Sequence, residues 1–402
     1  MAKQINSLIL KKYKSNIWKS YLIEFLKSLH FFSGVLVPFF TIWGGITFAQ
    51  VMFLQALFTF SRFLFEIPTG AIADYLGRKT SIVIGLAINA IAALVYASTP
   101  SFWIFALGEF LWGVGGAFMS GADRALTYDS LKEFKEEKSS KKIFGRLHSI
   151  HLTALLIAAP IGSIIAETIS IRATMFFVFI PVAISAVIAM TMYEPKIKWH
   201  RKRNKSYTKT LKEGIIFFRK SRLLKIIAAD ISIIGTLTFF MIWSYQLVLG
   251  KMNIPILYFG FIHAALVTGQ IAVSNSFAKL ENFTGSKRRY MLISGIIAGA
   301  GFIVVAFTRS AVIAITAMII LTAFGMTRKI LLSSYLNKHI NSKVRATVLS
   351  TVSMFSSLAM ALGDILFGIF ADKNLTATLA TVGALIIVTT IIIRIEEKDL
   401  KD

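Results

Sequence analysis

Cysteine is missing from all 402 residues, so no disulfide, thiolate metal site or cysteine redox chemistry is open to the chain. Also absent are the H-E-x-x-H spacing that seats two histidines on zinc, a phosphate-cradling G-x-x-x-x-G-K-[ST] loop, and a G-x-S-x-G nucleophile turn in a suitable setting. An enzyme is therefore not expected, nor an ATP-driven pump without a second chain, nor any cofactor or metal. Acids are few, 20 against 44 Lys and Arg, and the resulting formal charge of +24 invites a nucleic-acid reading. The placement of the bases removes it. They are spread loop by loop rather than gathered on one domain, which is the pattern of a membrane protein whose basic loops stay in the cytoplasm.

What the chain has in excess is apolar surface. Hydrophobic residues make up 55% of it, including 34 phenylalanines, and the mean hydropathy of +0.69 exceeds what a soluble core uses. Twelve apolar runs of spanning length can be drawn at about 18–41, 47–69, 80–98, 102–126, 147–167, 171–192, 224–248, 257–278, 289–307, 310–331, 347–370 and 375–393. Of the 44 Lys and Arg residues, 38 lie at the N-terminus, the even-to-odd loops and the C-terminus, helix ends included, while Arg172, Lys251, Arg309 and Lys373 alone fall in opposite-side loops and Lys27 and Arg62 within spans. Both termini are thus expected on the cytoplasmic side of a plasma or inner membrane. The first run is too long, and too poor in a small-residue cleavage site, to read as a removable signal. The longest polar stretch, 193–223, is expected to be a cytoplasmic linker between residues 1–192 and 224–402. Its amphipathic segment around Ile215, Ile216, Phe217 and Phe218 suits an anionic lipid surface.

Between the second and third runs lies GAIADYLGRKT, residues 70–80. Gly70 and Gly77 allow a tight turn and close helix approach, Asp74 can accept hydrogen bonds from helix-end amides, and Arg78 and Lys79 resist crossing the bilayer. In residue identity, spacing and place in the hydropathy order, this G-x-x-x-D-x-x-G-R-K pattern closely resembles the loop motif of the major facilitator superfamily of secondary transporters. The resemblance extends over nearly the whole chain. It implies an all-α polytopic membrane protein of 12 transmembrane helices, arranged as two pseudo-symmetric six-helix bundles around a central cavity that opens alternately to each side. It further implies an inner gate between Arg78 and Asp129. Glu66 would cap freed amides or join the Asp74–Arg78 cluster, with Arg62, four residues away, as its simplest partner. Where relatives often carry an arginine in the fourth helix, this chain has Glu109, an acid able to hold a proton or attract a cation. AAPIGS at 158–163 loosely resembles an antiporter motif.

Overlaying the halves at an offset near 206 residues sets Glu24 opposite Asp230 and LGRK at 76–79 opposite TGSKRR at 284–289. It also pairs GADR at 121–124 with GMTR at 325–328, and so Arg124 with Arg328. One six-helix plan used twice is common in transporters.

Ionisable groups inside a span cost about 2.5–3.5 kcal/mol by insertion scales, so each such group is a candidate for the transport path. Glu24, Lys27, His30 and Phe31 recur at three- to four-residue intervals, which predicts a polar stripe on one face of the first helix. Glu24 and Lys27 either neutralise one another or couple a proton to transport. Asp230 is expected to be the freer carboxylate, since no cation lies within a helical turn of it. Asp123 and Arg124 are adjacent and point about 100° apart on a helix, so they do not simply pair. Arg124 and Arg328 are expected at the cavity or the gate, and Asp364 is a further acid in the eleventh helix.

The expected function is proton-coupled export of hydrophobic or cationic small molecules, by a monomer whose partners are its substrate, protons and the bilayer. Two rivals stand beside it. One is uptake or facilitated movement of a nutrient or anionic metabolite, bound through Arg124 and Arg328. The other is a transport-inactive receptor or scaffold that keeps the fold.

Overall fold

The computed structural model describes residues 2–195, 216, 221–339 and 345–393. Every regular element among them is helical. The amphipathic stretch within 193–223 lies almost entirely outside the described residues. Among the described residues, eleven helices are long and apolar enough to cross a membrane, one fewer than the twelve apolar runs. The difference is the first run, which is not one helix. Helix α1 (Ala2–Lys27) stops inside it, a turn follows, and the chain resumes as α2 (Leu36–Pro38) and a single π-helical turn, Phe39–Trp43. Short-range bonds close the break, such as Ser33 N–H to the His30 carbonyl at 2.9 Å and Val35 N–H to the Phe32 carbonyl at 2.9 Å. Backbone groups away from water need such partners.

The chain divides into two compact units. Unit 1 comprises Met1–Ile46, Leu57–His200 and Ile256–Ala264. Its main helices are α3 (Phe48–Leu76, from Leu57 onward), α4 (Arg78–Tyr96), α5 (Phe102–Met119), α6 (Ala122–Glu133), α7 (Ser140–Thr168) and α8 (Ile171–Met190). Pro68 lies inside α3, yet the helix continues to Leu76 rather than ending its hydrogen bonding there, as membrane helices tolerate. The expected fourth span is interrupted near its inner end, where Gly121 at φ +78° separates α5 from α6. Along α4 pack α5 and α8, while α1 rests on α6, α7 and α8. Gly162 of α7 lies against the backbone carbonyl of Phe31, and a Cβ there would collide with it. The break in the first run is thus seated on a bare patch of α7.

Unit 2 comprises Thr47–Ala56, Arg201–Pro255 and Ala265–Asp402. Its helices are α9 (Arg222–Lys251), α10 (Phe259–Asn275, from Ala265 onward), α11 (Phe277–Thr284), α12 (Lys287–Phe307), α13 (Ala311–His339), α14 (Arg345–Lys373) and α15 (Leu375–Ile392). Here α12 packs along α13 and α15, and α9 on α13, α14 and α15. The third helix of each sequence half therefore chooses the fourth and sixth as its neighbours, as an internal repeat requires. The first turn of α3 belongs to this unit, where Asp372 accepts hydrogen bonds from the N–H groups of Phe48 at 3.1 Å and Ala49 at 2.9 Å. A carboxylate there satisfies orphan donors and complements the helix dipole.

Candidate functional site

A cavity of about 300 Å³ opens in unit 1 among α1, α6 and α7. The spacing of Glu24 and Lys27 on α1 brings their side chains together, with Lys27 Nζ 2.8 Å from Glu24 Oε2. Lys27 also reaches Asp123 Oδ2 at 3.4 Å. Asp123 stands in the first turn of α6, where its Oδ1 accepts the Arg124 backbone N–H at 2.6 Å and its charge complements the helix N-terminus. From α7, His151 places Nδ1 2.9 Å from Ser28 Oγ and 3.4 Å from Glu24 Oε1. The Glu24 and Lys27 side chains are 17% and 15% exposed, while those of Asp123 and His151 are 37% and 36% exposed. The innermost ion pair is thus screened by a more open rim.

The rest of the cavity wall is mostly neutral, with Arg124 and His148 as its further polar groups of note. Arg124 is exposed on it and makes no side-chain ion pair or hydrogen bond among the described residues. His148, one helical turn before His151, stacks on that ring at 6.5 Å. Both imidazoles and Ser28 escaped the reading of the sequence. The signal was there in LHSIHL at 147–152, where three-residue spacing sets two histidines on one face of a helix.

His30 does not join the stripe predicted on the first helix. The helix ends at Lys27, so His30 turns into an aromatic cluster instead, stacked on Phe32 at 5.1 Å and edge-on to Trp112 at 6.1 Å. Glu109 is buried and hydrogen-bonds Tyr96, apart from the residues lining the cavity.

In unit 2, Asp230 is not the free carboxylate expected from its sequence neighbours. Arg328 supplies the missing cation from α13, with Nη2 2.5 Å from Oδ2 and Nε 3.3 Å from Oδ1. The same guanidinium donates to the Met291 carbonyl and, at 2.7 Å, to Ser294 Oγ. At 1% and 3% side-chain exposure, the pair is internal and its hydrogen bonding is taken up. The repeat therefore matches positions without matching roles, since Glu24 and Arg124 line a cavity whereas Asp230 and Arg328 hold each other. A separate cavity of about 430 Å³ in unit 2 is lined by Thr236, Lys329, Ser333, Ser353, Ser356 and Ser357 among others. Asp364 is 2% exposed, and its Oδ1 has no hydrogen-bond partner among the described residues.

The loop motif is compact. Gly77 at φ +96° breaks α3 from α4, and Arg78 just beyond pairs with Asp129 of α6 while donating to the Ala125 carbonyl at 3.0 Å. The helix-end amides do not go to Asp74, which is exposed near Arg78. Glu194 takes them, accepting from the N–H groups of Arg78 at 3.0 Å and Lys79 at 2.7 Å. Its carboxyl group lies where a Gly77 Cβ would crowd it, at 3.1 Å. Gly70 faces open space. Glu66 accepts from Ser120 Oγ at 3.4 Å, and among the described residues it forms no ion pair with Arg62.

Residues 23–364 match the model of the Major Facilitator Superfamily. Among curated proteins, the chain is 27% identical over 163 residues to the inner membrane transport protein YajR of Escherichia coli (strain K12), covering 40% of this chain and 34% of YajR. It is 23% identical over 336 residues to the class H tetracycline resistance protein of Pasteurella multocida, covering 78% and 77%. The first match thus spans about a third of its relative's length. Among solved structures, the nucleoside transporter NupG superposes with a TM-score of 0.79 at 14% identity, over 94% of this chain and 98% of that one. A D-xylose-proton symporter superposes at 0.73 and 13% identity, over 97% and 99%.

Proposed function

Since the chain belongs to the Major Facilitator Superfamily, whose members are membrane transporters rather than enzymes, we propose that it moves a small solute by alternating access and couples that movement to a proton carried on Glu24. One observation carries the proposal, the Glu24–Lys27–Asp123–His151 network on the wall of a cavity. Ionisable groups are retained at membrane depth where they serve an ion or substrate pathway. Protonating Glu24 removes the anion nearest to Lys27 and leaves that ammonium with Asp123 alone, at 3.4 Å. The charge presented to the cavity then rises by one, which is how a proton would alter solute affinity. Asp364 is the second acid we assign to proton binding, on the strength of its burial and its partnerless oxygen.

The Arg78–Asp129 pair acts as the inner gate in this reading, with both termini in the cytoplasm and residues 193–223 as the linker. For direction there are two readings. Export has the tetracycline resistance relative in its support. Uptake by cotransport is favoured by Lys27, since the ammonium released by a proton would strengthen binding of a solute that travels with that proton.

The test uses the purified protein in proteoliposomes loaded with a pH-sensitive dye. Tetracycline, gluconate and xylose are added in turn, with and without an imposed pH gradient. Solute-dependent proton movement that disappears in Glu24→Gln supports the proposal. Solute flux in Glu24→Gln with its proton movement intact refutes Glu24 as the carrier.

A further inference from the structure

The cavity in unit 1 holds two carboxylates, and both are committed. Glu24 is shared by Lys27 and His151, and Asp123 by Lys27 and the Arg124 backbone N–H. A cationic solute entering this space meets carboxylates whose charge Lys27 already partly neutralises. The uncommitted groups are hydrogen-bond donors. Arg124 offers its guanidinium with no side-chain partner among the described residues, and His148 offers a ring engaged only in stacking on His151. Unit 2 shows the same bias independently. Lys329 lines its cavity beside the hydroxyls of Thr236, Ser333, Ser353, Ser356 and Ser357, and among the described residues it has no ion pair and the wall has no carboxylate.

We infer that the transported solute carries an anionic group, carboxylate or phosphate, which Arg124 and His148 receive in the unit 1 cavity. This rests on the transport reading above and replaces the cationic substrate expected from the sequence. The planar guanidinium gives two parallel donors to a carboxylate or phosphate, and His148 adds a third from the neighbouring helix α7. Coupling follows from the same charges. When Glu24 takes a proton, Lys27 keeps only its 3.4 Å contact with Asp123 and the cavity gains one positive charge for the anion, so proton and solute each raise the other's affinity. Groups facing Glu24 are Lys27 from its own helix, Asp123 and Arg124 from α6, and His148 and His151 from α7, while α4 and the end of α8 contribute Ile82 and Met192.

Charge-matched probes test the inference without knowing the natural solute. Wild-type protein in nanodiscs of neutral phosphatidylcholine, which keeps anionic lipid headgroups away, is titrated by thermal shift. The probes are gluconate, glucose and glucosamine, then lactate, propane-1,2-diol and 1-aminopropan-2-ol, then glycerol 3-phosphate and glycerol. The expected result is stabilisation by an anion and not by its neutral or cationic partner. In Arg124→Gln that anion binds about tenfold or more weakly, Arg124→Lys restores part of the loss, and His148→Gln shows a smaller one. Arg124→Glu moves the preference toward the amine of the same skeleton. Stabilisation by an amine in the wild type, unchanged anion binding in a folded Arg124→Gln, or no response to any anion would each overturn the inference. Such a failure is separable from failure of the transport reading, because proton-coupled flux is measured in proteoliposomes and not by these shifts.

Discussion

Replacing Asp230 with asparagine strands a guanidinium where almost no water reaches it. The Arg328 side chain is 3% exposed and that of Asp230 1%, so the lost anion is not replaced by solvent. The Met291 carbonyl and Ser294 hydroxyl remain, but neither carries charge. Removing one partner of a buried ion pair costs about 3–5 kcal/mol, whereas replacing both with apolar residues of similar volume is often close to neutral. Asp230→Leu, like Asp230→Asn, and Arg328→Met should therefore each destabilise the protein by about that amount. The double variant Asp230→Leu/Arg328→Met should recover most of it, leaving a coupling energy of about 2 kcal/mol or more in the cycle. Unfolding of the purified protein in mixed micelles of rising denaturing-detergent fraction, followed by circular dichroism, reads all four forms. Additive losses would refute the reasoning. So would an Asp230→Asn protein that unfolds like the wild type but has lost transport, since the carboxylate would then be a working group and not a strut.

Other expectations come from single contacts. Gly162→Ala should destabilise by about 1–3 kcal/mol, because the new methyl meets the Phe31 carbonyl, while Gly145→Ala on the same helix has open space and should be neutral or slightly stabilising in the same assay. Glu194→Gln weakens the charge-assisted cap on α4 and should lower stability by about 0.5–2 kcal/mol, with a smaller loss in high salt. Asp129→Asn leaves Arg78 with the Ala125 carbonyl, and should slow solute exchange in proteoliposomes more than it weakens solute binding, whereas a purely structural role would lower both together.

The fold was largely legible because its determinants are local and repeated. Spanning runs and basic loops set the helices and their order, and the resemblance carried by the G-x-x-x-D-x-x-G-R-K pattern implied the Arg78–Asp129 pair. Partner choice across helices was less so. Asp230 and Arg328 were each singled out, but 98 residues separate them, and nothing in the neighbourhood of either names the other. The break after Lys27 was hidden for a related reason. LHFFSG is apolar enough to continue a span, and only the bare surface at Gly162 shows where the turn is seated. That turn moved His30 out of the polar stripe, and His151 from α7 took up the place beside Glu24. Glu194 was overlooked because an acid at the start of a polar linker looks solvated, although its carboxylate reaches two amides on α4.

The central claim is that Glu24 carries the proton that drives transport. Proteoliposomes enclosing a pH-sensitive dye, held at a fixed pH gradient and given a solute that stabilises the protein, measure it most directly when wild type and Glu24→Gln are compared. The account predicts that the wild type moves protons and solute together, and that Glu24→Gln still exchanges labelled for unlabelled solute but moves no protons and accumulates nothing. Gradient-driven accumulation at the wild-type rate in Glu24→Gln would contradict it.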